Sequence, residues 1–252
     1  EIHPTIISKG YRLASERAQE ILINLAETIT DKDLKILRQI ASTAMTGKGS
    51  EHSKDLLADL VVKAVHGVVE YNGSNMVIDT ANIKIEKKVG GSVEETELIE
   101  GVVIDKERVS SSMPRRKNKK KIALINSAIE IKNTETDAKI SITDPDKMQS
   151  FLDMEESMLR KMVDKVLASG ANILFCQKGI DDLAQHFLAK KGVFAVRRIR
   201  KSDLDLLAKA TGAKVVSNLD DLTKDDLGKA GVVEEVKVGD ESMTYIKDCK
   251  NP

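Results

Sequence analysis

The sequence predicts a multi-domain protein of mixed α/β and α+β class, and three observations carry that expectation. Apolar residues recur every three or four positions through about the first seventy residues, the period shortens to two after Gly73, and short strand and helix patterns alternate from Gly170 onward. Pro4 stands at the first turn of a segment in which Ile6, Ile7, Gly10, Leu13, Ala14, Ala18, Ile21, Leu22 and Leu25 share one helical repeat. Thr30 and Asp31 offer capping oxygens to a second helix carrying Leu34, Ile36, Leu37, Ile40, Ala41 and Ala44, which the glycines of Thr46-Gly47-Lys48-Gly49 interrupt. Ser50 opens a third, with Leu56, Leu57, Leu60, Val61, Ala64, Val65 and Val68 inside, expected to reach about Tyr71 before the breaker Asn72-Gly73.

Beyond Gly73, Ile83 and Ile85 alternate with Lys84, Glu86 and Lys87 ahead of a Gly90-Gly91 hinge, where a domain boundary is expected. Strands are expected over Leu98–Asp105, Lys121–Asn126, Ile129–Ile131 and Lys139–Ile142. Asp144-Pro145 then starts a long helix that lasts to about Ser169. Strand Asn172–Cys176, helix Ile180–Lys191, strand Val193–Val196, helix Ser202–Thr211 and strand Lys214–Ser217 follow, a rhythm that argues for parallel crossover units. Val232–Val238 and Met243–Ile246 around Gly239-Asp240 read as a hairpin.

Composition narrows the function classes. Lys plus Arg and Asp plus Glu each total 40 among 252 residues, so the formal net charge is zero and a dedicated polyanion binder is disfavoured. No run approaches the ~18 apolar residues of a membrane span. Cys176 and Cys249, the two cysteines, exclude a disulfide scaffold and a CxxC zinc ribbon together, and a reducing cytoplasm fits best. His3, His52, His66 and His186 lie scattered without a carboxylate or cysteine at ligand spacing, so no metal site is expected. Glu1 at the start, with neither Met nor a leader, and Asn251-Pro252 at the end lead us to expect a piece of a longer protein.

Three motifs could carry chemistry. Thr46, Gly47, Lys48 and Gly49 precede a helix, where backbone N–H groups and a lysine can meet a phosphate, although the spacing is not that of GxxxxGK[ST]. A helix–helix turn with a serine cap fits the same residues. Arg115, Arg116, Lys117, Lys119, Lys120 and Lys121 form a basic run that could contact nucleic acid. No aromatic residue is interleaved with it, so a solvated loop between two strands is the expectation. In the long helix, Met148, Leu152, Leu159, Met162, Val163 and Val166 share a face, and Phe151, Met154 and Met158 widen the apolar arc of its first half. Adaptable thioethers suit capture of unfolded chains, and packing against two core elements would produce the same pattern.

The wording of the sequence goes further than its composition. Ala168-Ser169-Gly170-Ala171-Asn172, the stretch Gln177-Lys178-Gly179-Ile180-Asp181-Asp182-Leu183-Ala184-Gln185-His186, Ala195-Val196-Arg197-Arg198 and Leu207 to Ala213 closely resemble the apical domain of the archaeal group II chaperonins, the thermosome family. Thr96 to Lys106, Met113-Pro114 and the opening Ile2-His3-Pro4-Thr5-Ile6-Ile7 look like that family too, so the resemblance spans the chain. It implies residues 1–25 as a closing equatorial helix, 26–88 as the first intermediate segment, and 89–252 as an apical domain with a helical protrusion over about 133–160.

The resemblance further implies a subunit that binds unfolded proteins and folds them in an ATP-driven double ring with other subunits. ATP and Mg would serve the full-length parent, and no cofactor is expected on this chain, which lacks the family's Gly-Asp-Gly-Thr loop and its water-activating aspartate. Lys48 matches the lysine that senses the γ-phosphate. Asp181, Gln185, His186 and Lys190 match the outer face of the client-binding helix, and Met148, Phe151, Leu152, Met154 and Met158 fall on the protrusion. The run Arg115–Lys121 is more basic than the family usually shows. The alternatives from other classes are a small α/β nucleotide-binding enzyme built on residues 170–217 and a nucleic-acid module using 115–121.

Overall fold

A computed structural model describes residues 2–73, 75–131 and 145–249. The chain divides into two compact units, Glu1–His66 and Gly67–Pro252.

The first unit is helical, as its 3.6-residue period demands. Helix α1 (Pro4–Leu25) begins where Pro4 fixes φ, and His3 caps it by accepting from the Thr5 N–H through Nδ1 at 3.3 Å. Helix α2 (Leu34–Met45) starts three residues later than Thr30-Asp31 suggested, because Asp33 takes the cap position. Its carboxylate accepts from the Thr30 N–H at 2.8 Å and hydroxyl at 2.9 Å, which lowers its pKa. A single 3₁₀ turn, Glu51–Ser53, leads into α3 (Lys54–Gly67). Asp59 on α3 ties the pair together by accepting from Arg38 at 3.2 Å and Lys63 at 2.7 Å.

The expectation that the third helix runs to Tyr71 is wrong by four residues. Val68-Val69 and Tyr71 are β-branched or aromatic and run into Asn72-Gly73, so β1 (Val69–Asn72) pairs antiparallel with β2 (Asn75–Ile78) around Gly73 at φ 65°. The alternating stretch after it, Ile83–Lys88, joins no ladder. Side chains hold it instead: Lys84 Nζ donates to the buried Asp203 carboxylate at 2.8 Å, to Glu86 at 2.7 Å and to the Val103 carbonyl at 2.9 Å. Lys88 does the same toward Asp105, at 2.5 Å, and Glu241.

The body of the second unit is one mixed sheet in the order β3-β9-β8-β4-β5-β6, with β7 on the end of β4. Its strands are β3 (Gly101–Ile104), β4 (Arg116–Ile125), β5 (Ile173–Cys176), β6 (Phe194–Val196), β7 (Val215–Val216), β8 (Gly228–Val238) and β9 (Glu241–Cys249). Strand β4 is the junction. Its first half pairs antiparallel with β8 from Arg116↔Glu234 to Ile122↔Gly228, and its second half pairs parallel with β5 and β7. The basic run is therefore strand rather than the expected solvated loop. Glu234 and Glu235 explain why: Arg116 meets Glu234 at 3.4 Å, while Arg115 and Arg108 reach Glu235 at 3.7 and 3.5 Å, which offsets the charge on the ladder.

Helices α4 (Pro145–Ala168), α5 (Asp182–Lys190) and α6 (Lys201–Thr211) cover the sheet. Two-residue alternation sorts the core. Ala123, Ile125, Leu174 and Cys176 pack with Leu159, Val163 and Val166 of α4 and with Ala184 and Leu188 of α5. Ile122, Leu124, Ile173 and Phe175 turn the other way, onto Leu204 and Leu207 of α6. Fully buried strands on both faces are what parallel crossover units produce. The expected strand Ile129–Ile131 is reduced to one parallel bridge between Ile129 and Ile180, and Lys139–Ile142 lies outside the described residues.

Candidate functional site

Helix α4 changes character along its length. Leu159, Val163 and Val166 are buried, and Arg160 stacks its guanidinium 4.6 Å from the Phe187 ring of α5 while pairing with Glu156 at 2.8 Å. One turn earlier the core ends. Met148 is 49% exposed, Phe151 40%, Leu152 50%, Met154 62% and Met158 45%, so five large apolar side chains stand in water on consecutive turns. The expected single face thus splits: its second half is core, and its first half is an apolar surface held out by the anchored half. The part of the expected protrusion before residue 145 lies outside the described residues.

Helix α5 follows a cap that the sequence foreshadowed, since the Asp181 carboxylate accepts from the Leu183 N–H at 2.8 Å. His186 and Lys190 are exposed, as expected of an outer face. Gln185 is not on that face. It is 7% exposed, and its Nε2 donates to the Ile180 carbonyl at 2.7 Å and to Asp182 at 2.9 Å, closing the first turn from inside. Its place is taken by Leu183, 37% exposed, which the i, i+3, i+7 spacing of Leu183, His186 and Lys190 puts on one stripe. That spacing was readable in the sequence, but an apolar residue among polar ones reads first as core.

In the other unit, Thr46, Gly47, Lys48 and Gly49 form a tight turn after α2. Gly47, at φ 73°, donates its N–H to the Glu51 carboxylate at 3.3 Å, and the Lys48 N–H goes to the Met45 carbonyl at 3.2 Å. The Thr46 hydroxyl is turned back onto the Ser42 carbonyl at 3.1 Å. The Glu51 carboxylate thus takes up the Gly47 N–H, one of the backbone donors a phosphate at this turn would use. The side chain of Lys48 is exposed, and no ion pair engages it among the described residues. It can offer one positive charge to a phosphate held elsewhere. Among the described residues no cluster of three or more His, Cys, Asp or Glu side chains could hold a metal ion.

Cys176 is fully buried and its thiol donates to the Ser127 carbonyl at 3.2 Å, with burial raising its pKa to about 11. That is core packing, as its apolar run suggested, and the wrong state for a nucleophile. No described helix is long and apolar enough to cross a membrane.

The TCP-1/cpn60 chaperonin family model matches residues 1–252. The chain belongs to that family. It is 58% identical over 252 residues to a thermosome subunit of Methanopyrus kandleri and 56% identical over 252 residues to the thermosome subunit beta of Archaeoglobus fulgidus. It is also 56% identical over 251 residues to the thermosome subunit alpha of Thermoplasma acidophilum. Each match covers 100% of this chain and 46% of the relative, so the chain spans less than half the length of these thermosome subunits. Among solved structures, an open-state monomer of a group II chaperonin from Methanococcoides burtonii is 44% identical, with a TM-score of 0.74, covering 99% of this chain and 56% of that one. The expected class, a mixed α/β multi-domain chaperonin architecture, holds, and neither the nucleotide-binding enzyme nor the nucleic-acid module finds support in these likenesses.

Proposed function

We propose that this chain is part of a subunit that captures unfolded polypeptides and folds them in a nucleotide-driven double ring. The observation that carries this reading is the exposed apolar first half of α4, anchored through Leu159, Val163 and Val166 to the sheet. Unfolded chains differ in sequence but share exposed apolar surface, and unbranched thioethers at Met148, Met154 and Met158 adapt to varied partners. On this reading residues 1–25 close an equatorial domain, 26–88 form an intermediate segment, and 89–252 form the apical domain whose protrusion includes α4. Leu183, His186 and Lys190 on α5 would border the client. Subunits acting together multiply a weak contact by multivalency.

ATP and Mg belong to this reading through the full-length subunit, where bound nucleotide supplies the terminal phosphate charge. The role of this chain is electrostatic. The Lys48 ammonium, exposed beside a glycine turn, attracts that charge and biases the subunit toward its closed arrangement. We place the protein in the cytoplasm.

The test uses the full-length ring. Phe151→Ser, Met154→Ser and Met158→Ser combined should weaken capture of a denatured client by about tenfold or more while leaving thermal stability nearly unchanged. Unaltered client affinity would sink the assignment. Separately, Lys48→Ala should preserve folding and client capture but abolish nucleotide-driven lid closure, followed by protease protection of the protrusion. Normal closure would remove Lys48 from the mechanism.

A further inference from the structure

The segment over residues 82–91, between the β1–β2 hairpin and β3, is attached to the sheet in an unusual way. Its period-two pattern is turned over. Lys84, Glu86 and Lys88 are largely withdrawn from water, whereas Ile85 is 78% and Val89 96% exposed. A segment held on a sheet by its apolar side would have the opposite orientation.

The contacts are polar from one end to the other. Asn82 accepts from Lys209 of α6 at 3.1 Å, and Lys84 donates to Asp203 of α6 and to the Val103 carbonyl of β3. Lys88 joins Asp105, just past β3, to Glu241 on β9, and Gly90 comes up against Gly239 in the β8–β9 turn. Among the described residues no backbone hydrogen bond ties residues 84–91 to a strand. Ile83 is the one apolar side chain of the segment that is half-buried. Lifting the segment therefore breaks ion pairs and draws little on the hydrophobic effect, so the attachment weakens with ionic strength. The ladder beneath it, from Gly101↔Lys247 to Ile104↔Thr244, is complete without it.

We propose that residues 82–91 are a releasable strap, clasped to the sheet by Lys84 and Lys88, and that its release loosens a joint in the subunit. Release stands independently of the function proposed above. The joint rests on that reading, which puts the boundary between the intermediate segment 26–88 and the apical domain 89–252 inside the strap. Strap on and strap off are then two states whose balance shifts when the apical domain moves.

The experiment is hydrogen exchange of the full-length protein, read by mass spectrometry on peptides covering the strap and, as an internal reference, β3. Lys88→Gln should speed exchange of the strap about fivefold and Glu241→Gln about twofold, with the reference unchanged. Lys88→Arg should keep the protection, because charge and reach are retained, and Lys87→Gln, at an exposed position of the same strap, should change nothing. Raising salt from about 0.05 to about 1 M should speed strap exchange in the parent and do so less in Lys88→Gln. Equal strap exchange in parent and Lys88→Gln would overturn the clasp, and so would an equal rise in β3, because the sheet itself would then have opened. The joint is read in Lys88→Gln from the ATP concentration at half-maximal ring closure, followed by protease protection of the protrusion. A shift downward assigns the docked strap to the nucleotide-free arrangement and a shift upward assigns it to the closed one, and either supports the joint. An unchanged midpoint alongside faster strap exchange would overturn it. A parent that never closes would overturn the function proposed above and the joint with it, while the exchange result still judges the strap.

Discussion

Cys176 shows how one atom's surroundings set a measurable property. Its thiol ionises ordinarily near 9.0 and is pushed up to about 11, first by burial, with Glu130 adding to the rise and a backbone hydrogen bond from Lys178 opposing it. In the unfolded chain the thiol releases its proton near 9, so between about pH 9 and 11 the unfolded state holds fewer protons than the native one. This contribution is fully present below pH 9 and is lost as pH rises through 11, on the order of 2 kcal/mol in all. Denaturation midpoints of Cys176→Ala followed from pH 8 to 11 should therefore decline less steeply than those of the parent. An equal decline would show that the thiol ionises at the same pH in the folded and unfolded states. At the same scale, the sequence named Cys176 as core correctly but gave no sign that Lys84 would seek Asp203, because a pair 119 positions apart leaves no local pattern.

Helix α4 poses the question at the scale of an element. Its ends were legible to within a residue, since Pro145 and the Ser169-Gly170 break are local signals. Its division into anchored and exposed halves was only partly legible, because a helical wheel reports which residues share a face and not where the neighbouring layer stops. Leu159→Ala should cost about 2–5 kcal/mol in chemical denaturation, as removal of a buried leucine does, whereas Met154→Ala, one and a half turns earlier, should cost less than about 0.5 kcal/mol. Equal costs would mean that the first half of α4 is packed. Elements whose identity depends on a partner were harder to read. The ladder with β8 turned Arg116–Lys121 into a strand, and the interior bond network of Gln185 withdrew it from a face that its polarity alone had suggested. The Thr46–Gly49 turn was placed correctly, yet the carboxylate of Glu51 that fills it was not foreseen.

The whole molecule joins parts that are remote in the chain. The parallel units from Ile173 to Val216 and the β8-β9 hairpin were legible from local signals, while the β3-β9 and β8-β4 pairings join residues more than a hundred positions apart. That arrangement has a kinetic cost for a chain emerging from the ribosome. The first half of β4 leaves roughly a hundred residues before β8 exists to pair with it, which at about 5–20 residues per second is a wait of roughly 5–20 s. A bare strand edge left that long invites pairing with other chains, and a row of like charges is the usual protection. Lys117, Lys120 and Lys121 would then guard the nascent protein. Replacing these three by Thr should leave the native denaturation midpoint near that of the parent but lower the yield of soluble protein on rapid dilution from denaturant, most strongly at high protein concentration. A yield equal to the parent's would assign the charge on β4 wholly to the native state.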